Sequence, residues 1–298
     1  MQPLSPESIT TDEVDLVILR KRNIRLSVLR MDKIHPVISG NKWFKLKRYL
    51  GLAARSAKTQ IVTFGGAYSN HLIATAAVGK LFDLKTIGIV RGEEPRSLSH
   101  TLIQARQWGM QLIFVSREDY RKKKLPESLT KTGYFIINEG GYGIDGAIGA
   151  AEMIEFCKKE IYSHVACAVG TSTMMAGLIK AAPGQQQVIG ISVLKNNHSV
   201  TQDLCALLTD SEQKKLFDIH HEYHFGGYAK YDQQLLDFMN DFYQKTTIPT
   251  DFVYTAKTFY AIFDGIGNNR FPPGSNILLI HSGGLQGNLS LPRGALIF

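Results

Sequence analysis

A lysine that follows a glycine-asparagine turn is the first residue whose type and position could do chemistry. Lys42 lies in the segment SGNKWFKLKRYL, where the following apolar residues have the spacing of an amphipathic helix. A helix N-terminus disfavours a cation, and burial lowers the pKa of an amine, so a neutral Lys42 could attack an aldehyde. A solvated lysine beside a turn is the alternative. We interpret the other cations of this segment, Lys45, Lys47 and Arg48, as surface charges.

The segment TFGGAYSNHLIATAA, residues 63–77, contains a second candidate site. Two glycines allow a sharp turn, after which Ser69 and Asn70 reach a helix N-terminus whose free amides could hold an anion. Serine and asparagine also serve as ordinary N-caps, and this interpretation remains equally open. We expect His71 to be a hydrogen-bonded structural histidine rather than a general base.

A third candidate is the segment AVGTSTMMAGL, residues 168–178. Gly170, Thr171, Ser172 and Thr173 place amides and hydroxyls between a predicted strand and a predicted helix, which is a suitable cradle for a phosphate group. A helix cap with spare hydroxyls is the alternative. The segment has no GK[ST] sequence, and the chain has no convincing GxGxxG sequence, so neither a nucleotide P-loop nor a dinucleotide-binding turn is predicted.

Short β-branched runs alternate with longer amphipathic segments along the chain, which predicts an α/β fold with parallel strands and crossover helices. Ligands bind at the carboxyl ends of such strands, where the glycine-rich turns occur. The predicted strands are Ile61–Phe64, Thr86–Val90, Gln111–Val115, Tyr134–Ile137, Val165–Val169, Val188–Val193 and Ile277–Ile280. The predicted helices are Asn70–Leu81, Leu98–Trp108, Asp145–Lys159, Thr173–Ala181, Val200–Leu208, Gln233–Tyr243 and Lys257–Gly265.

The composition narrows the class of protein. The chain has 298 residues, 44% of them hydrophobic, and a formal net charge of +8. The basic residues form two short runs, 45–48 and 121–124, without interleaved aromatics, which disfavours nucleic-acid binding. Three cysteines without CxxC spacing indicate neither disulfides nor a metal site, and no apolar run is long enough to cross a membrane. We therefore expect a cytoplasmic protein with a small anionic ligand.

The order of six segments resembles one enzyme family. SGNKWFKLK, TFGGAYSNHLIATAA, NEGGYGIDGAIGAAE, VGTSTMMAGL, VYTAKTFYAI and IHSGG follow one another as in the 1-aminocyclopropane-1-carboxylate deaminase and D-cysteine desulfhydrase family. That family belongs to the fold type II pyridoxal-phosphate enzymes, which are tryptophan-synthase-β-like. The resemblance implies two open parallel-type sheets flanked by helices, pyridoxal 5'-phosphate as the cofactor and a small amino acid as the substrate.

The resemblance also implies a role for each site residue. Lys42 would bind the cofactor covalently as a Schiff base, and Asn70 would hydrogen-bond its phenolic oxygen. Ser69 would lie over the substrate carboxylate or the reacting carbon. The remaining implied residues are the phosphate loop (Val169, Gly170, Thr171, Ser172 and Thr173), Tyr228 and Tyr254 on the substrate side, and Ser282 at the pyridine nitrogen.

One position distinguishes the two branches of this family. Members that open the cyclopropane ring carry a glutamate immediately after the tyrosine of the VYTAK-type segment, whereas this chain has Thr255. The resemblance therefore favours β-elimination from D-cysteine, which yields a 2-keto acid, ammonia and sulfide. Cyclopropane deamination to 2-oxobutanoate is the alternative.

Domain organisation follows from the same resemblance. Residues 1–45 and 157–298 would form a large cofactor domain, and residues 46–156 a small domain between them. A homodimer is expected. A different class of function stays open at this point, namely an α/β protein without enzymatic activity that binds a phosphorylated metabolite through GTST and GGAYSN.

Overall fold

Ten β-strands and eleven α-helices alternate in the part of the chain that the structure describes. This computed structural model describes residues 2–127, 129 and 133–298. The strands are β1 (Thr11–Val14), β2 (Arg25–Arg30), β3 (Gln60–Gly65), β4 (Lys85–Arg91), β5 (Gln111–Val115), β6 (Tyr134–Ile137), β7 (His164–Val169), β8 (Gln187–Ser192), β9 (Phe217–His220) and β10 (Asn276–His281).

The helices connect these strands. They are α1 (Val17–Lys21), α2 (Asn41–Arg55), α3 (Asn70–Leu81), α4 (His100–Gln107), α5 (Arg117–Arg121), α6 (Ile144–Ala151), α7 (Thr173–Ala181), α8 (Val200–Cys205), α9 (Asp210–Gln213), α10 (Gln233–Thr246) and α11 (Thr255–Gly267). Short 3-10 helices cover Pro6–Ser8, Met31–Ile34, Glu139–Gly141, Glu152–Phe156, Lys159–Ile161, Glu222–His224 and Leu285–Ser290. Within the described residues, no helix is both long and apolar enough to cross a membrane.

The strands form two separate sheets. The larger sheet has the order β1-β2-β10-β7-β8-β9 and is parallel except for β1, which pairs antiparallel with β2. The smaller sheet has the order β5-β4-β3-β6 and is entirely parallel. Helices pack against both sheets, as a parallel sheet requires to keep both faces out of water. The predicted fold class, two open parallel-type sheets flanked by helices, is confirmed.

The central strand of the large sheet shows why these residues form these elements. All six residues of β10 are buried, which matches the continuous apolar run of a strand covered on both faces. Its Ile277 pairs with Leu26 of β2 on one side and His164 of β7 on the other, so residues some 250 positions apart become neighbours. This parallel pairing places the carboxyl end of β2 next to the carboxyl end of β10.

The predicted elements agree closely with the structure where the hydrophobic period is regular. α3 and α7 have the predicted bounds, and every predicted strand is present within one residue at each end. The predicted helix Asp145–Lys159 is wrong in its second half, because α6 ends at Ala151 and a 3-10 helix continues to Phe156. The strands β1, β2 and β9 have no counterpart among the predicted elements. The predicted domain boundaries remain a prediction, and the one at residue 45 falls inside α2.

A glycine at the crossing of α2 and α6 generates a stability prediction. A Cβ atom on Gly149 would lie 2.3 Å from the carbonyl oxygen of Phe44 in α2, so Gly149→Ala must push the two helices apart. We expect a loss of about 1–3 kcal/mol in the free energy of unfolding, measured by denaturant titration of the cofactor-free protein.

Gly51→Ala is the matched control, since a Cβ on Gly51 meets only the Arg55 guanidinium at 3.9 Å. This change should be neutral or stabilising by up to about 1 kcal/mol, because alanine is the better helix former. Equal effects of the two substitutions would show that the helix crossing tolerates a methyl group.

Candidate active site

A cavity of about 590 Å³ opens where the carboxyl ends of both sheets meet. The carboxyl ends of β3 to β8 and of β10, or the segments that follow them, contribute to its wall together with the start of α2. Val169 and Thr173 are buried next to the lining rather than in it. The predicted site residues in the lining are Lys42, Ser69, Asn70, Gly170, Thr171, Ser172, Tyr228, Tyr254 and Ser282.

Two backbone turns that are distant in sequence touch at the floor of this cavity. Gly40 has φ +58°, and a Cβ atom there would lie 1.8 Å from the carbonyl oxygen of Ser282, so glycine is required on both grounds. The Ser39 hydroxyl accepts a hydrogen bond from the Gly284 amide at 3.1 Å. Lys42 and Ser282 are therefore held on adjoining turns.

The lysine at the start of α2 lies inside the cavity. Burial lowers the pKa of Lys42 to about 8, and the opposing effect of Asp251 is smaller. At pH 7 about a tenth of such an amine is neutral, compared with well under a thousandth at an ordinary lysine pKa. The prediction of a desolvated lysine at a helix N-terminus is consistent with this environment.

The turn before α7 has free hydrogen-bond donors. Ser172 adopts a left-handed conformation, with φ 58°, and donates its hydroxyl to the Val200 carbonyl at 3.0 Å. Among the residues that the structure describes, no hydrogen bond uses the backbone amides of Thr171 and Ser172. These amides, the Thr171 hydroxyl and the first turn of α7 form a cradle for an anion.

The prediction that Lys45 is a surface charge is wrong. Lys45 is 2% exposed rather than at the surface, because α2 presents it to the cavity one turn after Lys42. Its Nζ donates to the Gly140 carbonyl at 3.2 Å, and a Cβ on Gly140 would contact the Thr171 methyl group. Burial, and then the charge of Lys42, hold the pKa of Lys45 well below its usual value. Lys47 and Arg48 are surface charges, as predicted.

The N-terminus of α3 forms another wall. The Ser69 hydroxyl caps the helix by accepting from the Leu72 amide at 3.2 Å, which leaves its own proton available to a ligand. Gln286 donates to the side-chain oxygen of Asn70 at 3.1 Å. This contact directs the Asn70 amide nitrogen away from Gln286. Sequence reasoning missed Gln286, which lies in the last 3-10 helix.

His71 is held by one nitrogen only. The Thr63 hydroxyl donates to the Ile137 carbonyl at 2.8 Å and therefore accepts from His71 Nε2 at 2.9 Å. Nδ1 is then an acceptor, and it is buried without a partner among the described residues. Burial, followed by the charges of Lys42 and Lys45, keeps the pKa of His71 well below its usual value. The expected structural hydrogen bond is confirmed for Nε2.

Two tyrosines form the opposite wall. The rings of Tyr228 and Tyr254 meet edge to face with centroids 6.1 Å apart. Burial raises the pKa of both hydroxyls, and Tyr228 adds to the shift at Tyr254. Both phenols therefore remain protonated donors at neutral pH.

A buried carboxylate that sequence reasoning missed fixes the second tyrosine. Asp251 is 0% exposed and accepts from the amides of Val253, Tyr254 and Thr255 at 2.9–3.0 Å. The Thr255 hydroxyl also donates to Asp251 at 2.8 Å, and Thr255 is not part of the cavity lining. Burial raises the pKa of Asp251, while these donors oppose the shift.

A third buried lysine holds the loop that carries Tyr228. Lys257 is 0% exposed, and its Nζ donates to the carbonyls of His224 and Gly227 at 2.8 and 2.7 Å. Burial lowers the pKa of Lys257 to about 8. Because Tyr228 follows Gly227 and Tyr254 lies one turn before Lys257, this ammonium ties the two tyrosines together.

These groups together fit a phosphorylated aldehyde. An amine of lowered pKa suits the aldehyde, and free amides with the buried Lys45 suit the phosphate. A lysine amine and a phosphate cradle in a cleft between two largely parallel sheets are typical of α/β enzymes that bind a phosphorylated aldehyde covalently. Residues 18–283 match the family model described as "Pyridoxal-phosphate dependent enzyme". The chain belongs to this family, and pyridoxal phosphate is its cofactor.

Individual relatives confirm the resemblance stated from the motifs. The chain is 29% identical over 295 residues to a Thermotoga maritima protein named "Putative 1-aminocyclopropane-1-carboxylate deaminase", covering 92% of this chain and 93% of the relative. It is 24% identical over 284 residues to the D-cysteine desulfhydrase of Salmonella typhi, covering 86% of each. A crystal structure described as an "ACC deaminase homologue" has a TM-score of 0.79, 24% identity, and coverage of 96% of this chain and 92% of that one. The expectation of an enzyme is confirmed.

The lowered pKa of Lys42 predicts a pH profile. Only the neutral amine attacks an aldehyde, so its reaction with added pyridoxal phosphate should rise with pH and reach half its maximum near pH 8, rather than near 10.5. The rate is measured on cofactor-free protein by borohydride trapping and peptide mapping at Lys42. N-acetyl-lysine treated in parallel corrects for ionisation of the reagent. A Lys42 profile that follows this free amine would contradict the lowered pKa.

Lys257 generates a prediction about the tyrosine loop. Lys257→Met removes the donor to two buried carbonyls, at a cost of about 1–3 kcal/mol each. Hydrogen exchange in the segment 222–231 should become faster, and kcat should fall more than KM rises, while the visible absorbance of the bound cofactor is retained. Lys245→Met is the control, because Lys245 is exposed and its ion pair is with the equally exposed Asp241. Unchanged exchange in the Lys257 variant would remove it from this role.

Proposed function

We propose that this chain is a lyase that eliminates the β-substituent of a small amino acid, with D-cysteine as the reference substrate. The overall reaction converts D-cysteine and water into pyruvate, ammonia and hydrogen sulfide. The observation that carries the proposal is the amine of Lys42, which shares one cavity with two protonated phenols and an anion cradle. The name of the Salmonella typhi relative, D-cysteine desulfhydrase, supports this reaction.

Different residues of the cavity bind different groups of the cofactor. We infer that Gly170, Thr171, Ser172 and Lys45 hold the phosphate. Thr173 closes the turn by donating its amide to the Thr171 carbonyl at 2.7 Å, and Val169 supports the loop from behind. Asn70 donates to the phenolic oxygen, and the Ser282 hydroxyl faces the pyridine nitrogen. When bound, the cofactor withdraws electrons from the substrate's α-carbon and thereby acidifies its proton.

Proton transfer is assigned to groups with suitable pKa values. Lys42, with a pKa of about 8, takes the α-proton as the neutral amine. Tyr254 and Tyr228 remain protonated because burial raises the pKa of both, so they can donate a hydrogen bond or a proton to the departing sulfur. Ser69 and the amides at the start of α3 bind the substrate carboxylate, which benefits from the positive end of the helix dipole.

Thr255 favours elimination over opening of a cyclopropane ring. Its hydroxyl is bonded to Asp251, and it contributes no acidic group to the cavity. Asp251 has both oxygens occupied by amides and the Thr255 hydroxyl, so it is also unsuited to shuttle protons. Cyclopropane deamination is the second candidate because the Thermotoga maritima relative carries that name.

We also propose a large domain of residues 1–45 and 157–298, a small domain of residues 46–156, a homodimer and a cytoplasmic location. Exposed Ile144 and Ile148, one turn apart on α6, support a dimer contact. Three free cysteines support a reducing compartment. Limited proteolysis tests the domains, sedimentation tests the dimer, and cell fractionation tests the location.

The proposal is tested with purified wild type and Lys42→Ala, each supplied with pyridoxal phosphate. We expect a visible absorbance band in the wild type that is absent in the variant, because only the Lys42 amine holds the cofactor covalently. The wild type should release sulfide and pyruvate from D-cysteine, and Lys42→Ala should lose this activity by a factor of at least about 10³.

Other outcomes separate the candidates. Production of 2-oxobutanoate from 1-aminocyclopropane-1-carboxylate, without sulfide from D-cysteine, would assign the deaminase activity despite Thr255. L-cysteine assayed in parallel reports the preferred enantiomer. A band that persists in Lys42→Ala would move the covalent role to another lysine, and Lys45→Ala is the comparison variant because Lys45 lies in the same cavity.

A further inference from the structure

The rim of the cavity on the side of the small sheet is unusually cationic. Its strands run in the order β5-β4-β3-β6, and the carboxyl end of each contributes to the cavity wall. Arg117 follows β5, Arg91 ends β4, the turn 66–69 follows β3, and Glu139 follows β6. Two arginines thus lie side by side on the same edge as the turn assigned to the substrate carboxylate.

Neither arginine is engaged in an ion pair among the described residues. Arg91 and Arg117 line the cavity, and no residue that the structure describes forms an ion pair with either of them. Glu139, the acidic residue on the same rim, is already paired with Lys123 at 2.7 Å. The rim therefore presents two guanidinium groups that form no ion pair within the described part of the chain.

The position of Arg91 directs its charge to the substrate. Its guanidinium lies 5.7 Å from the ring centre of Tyr120, and one of its nitrogens is 3.5 Å from where a Cβ of Gly66 would be. Gly66 opens the turn that leads to Ser69. Burial raises the pKa of Tyr228, the charge of Glu139 raises it further, and the charge of Arg91 opposes that rise. Arg91 therefore lies on the rim beside the turn that leads to Ser69, in the same cavity lining as Tyr228.

We propose that Arg91 and Arg117 select a small amino acid whose side chain carries a second anionic group. This inference rests on the proposed function, since the α-carboxylate is assigned to the start of α3. With that charge bound, a further anion on the side chain has the rim arginines as partners. A guanidinium binds carboxylate, sulfinate or phosphate oxygens through two parallel hydrogen bonds, which a neutral side chain cannot use.

O-phosphoserine is a probe that fits both the charge and the chemistry. The Cα–H bond and the Cβ–O bond break, the oxygen leaves with the electron pair as phosphate, and the resulting enamine takes up water and loses ammonia to give pyruvate. Phosphoserine and water thus become pyruvate, ammonia and phosphate without any oxidant or reductant. β-Chloroalanine undergoes the same elimination but has an uncharged side chain, so it is the substrate with which phosphoserine is compared.

The experiment compares kcat/KM for the two substrates in the holoenzyme, using both enantiomers of each. We expect the ratio of phosphoserine to β-chloroalanine to fall about tenfold in Arg91→Gln and further in the double variant with Arg117→Gln. The ratio should also fall in the wild type at high salt, because the rim is exposed. Arg121→Gln is the control, since Arg121 lies on the same helix as Arg117 but outside the cavity lining. It should keep the wild-type ratio.

A second readout needs no turnover. Aspartate and alanine, titrated against the absorbance of the bound cofactor, should bind with a ratio of Kd values that favours aspartate in the wild type and loses this preference in the double variant. An unchanged substrate ratio together with an unchanged aspartate preference overturns the proposal, even if both variants are slower. If the wild type eliminates neither phosphoserine nor D-cysteine, the proposed function fails. The aspartate preference then still decides the role of the arginines.

Discussion

The contact between the turn at Gly40 and the turn at Ser282 is the constraint on which the site depends. No side chain fits between these backbones, because a Cβ on Gly40 would lie 1.8 Å from the Ser282 carbonyl oxygen. β2 and β10 lead into the contact as adjacent parallel strands, so the large sheet determines how closely the turns approach. Lys42 then lies in the first turn of α2, two residues after Gly40. The pairing of β2 with β10, which come from opposite ends of the chain, thereby determines where the Lys42 amine lies.

Buried charge is the second organising feature. Lys45 and Lys257 are buried lysines, Lys42 lines the cavity with Lys45, and Asp251 is the carboxylate whose charge reaches Lys42 and Lys257. Lys257 is compensated by two carbonyl oxygens, whereas Lys45 has one, at the longer distance of 3.2 Å. A buried cation with few partners is costly, and an anion bound beside it lowers that cost. A phosphorylated cofactor should therefore stabilise the folded chain as well as supply chemistry.

The sequence predicted the parts of the fold and site that local patterns encode. α3 begins after Ser69 because that hydroxyl caps it, and the buried strands β3, β4 and β7 are continuous apolar runs. Nine of the predicted site residues line one cavity in the structure. The prediction for Lys45 was wrong because the sequence of a helix does not reveal whether a lysine on it faces water or a cavity. Asp251, Lys257 and Gln286 were missed because their partners are backbone groups or residues distant in sequence.

The two sheets contribute differently to the cavity, and this division explains how one fold can serve several substrates. The large sheet supplies Ser282, the phosphate turn before α7 and, through the Gly40 contact, Lys42, so any shift there disturbs cofactor and amine together. The small sheet supplies Ser69 and Asn70 after β3, and it also supplies the rim, where Arg91 and Arg117 are exposed and can be exchanged without repacking the core. Substitution on the rim changes the charge that a substrate meets while the amine keeps its surroundings. Selectivity can therefore change independently of the chemistry, because the arginines stand on the exposed rim whereas Lys42 and the phosphate turn are positioned by the large sheet.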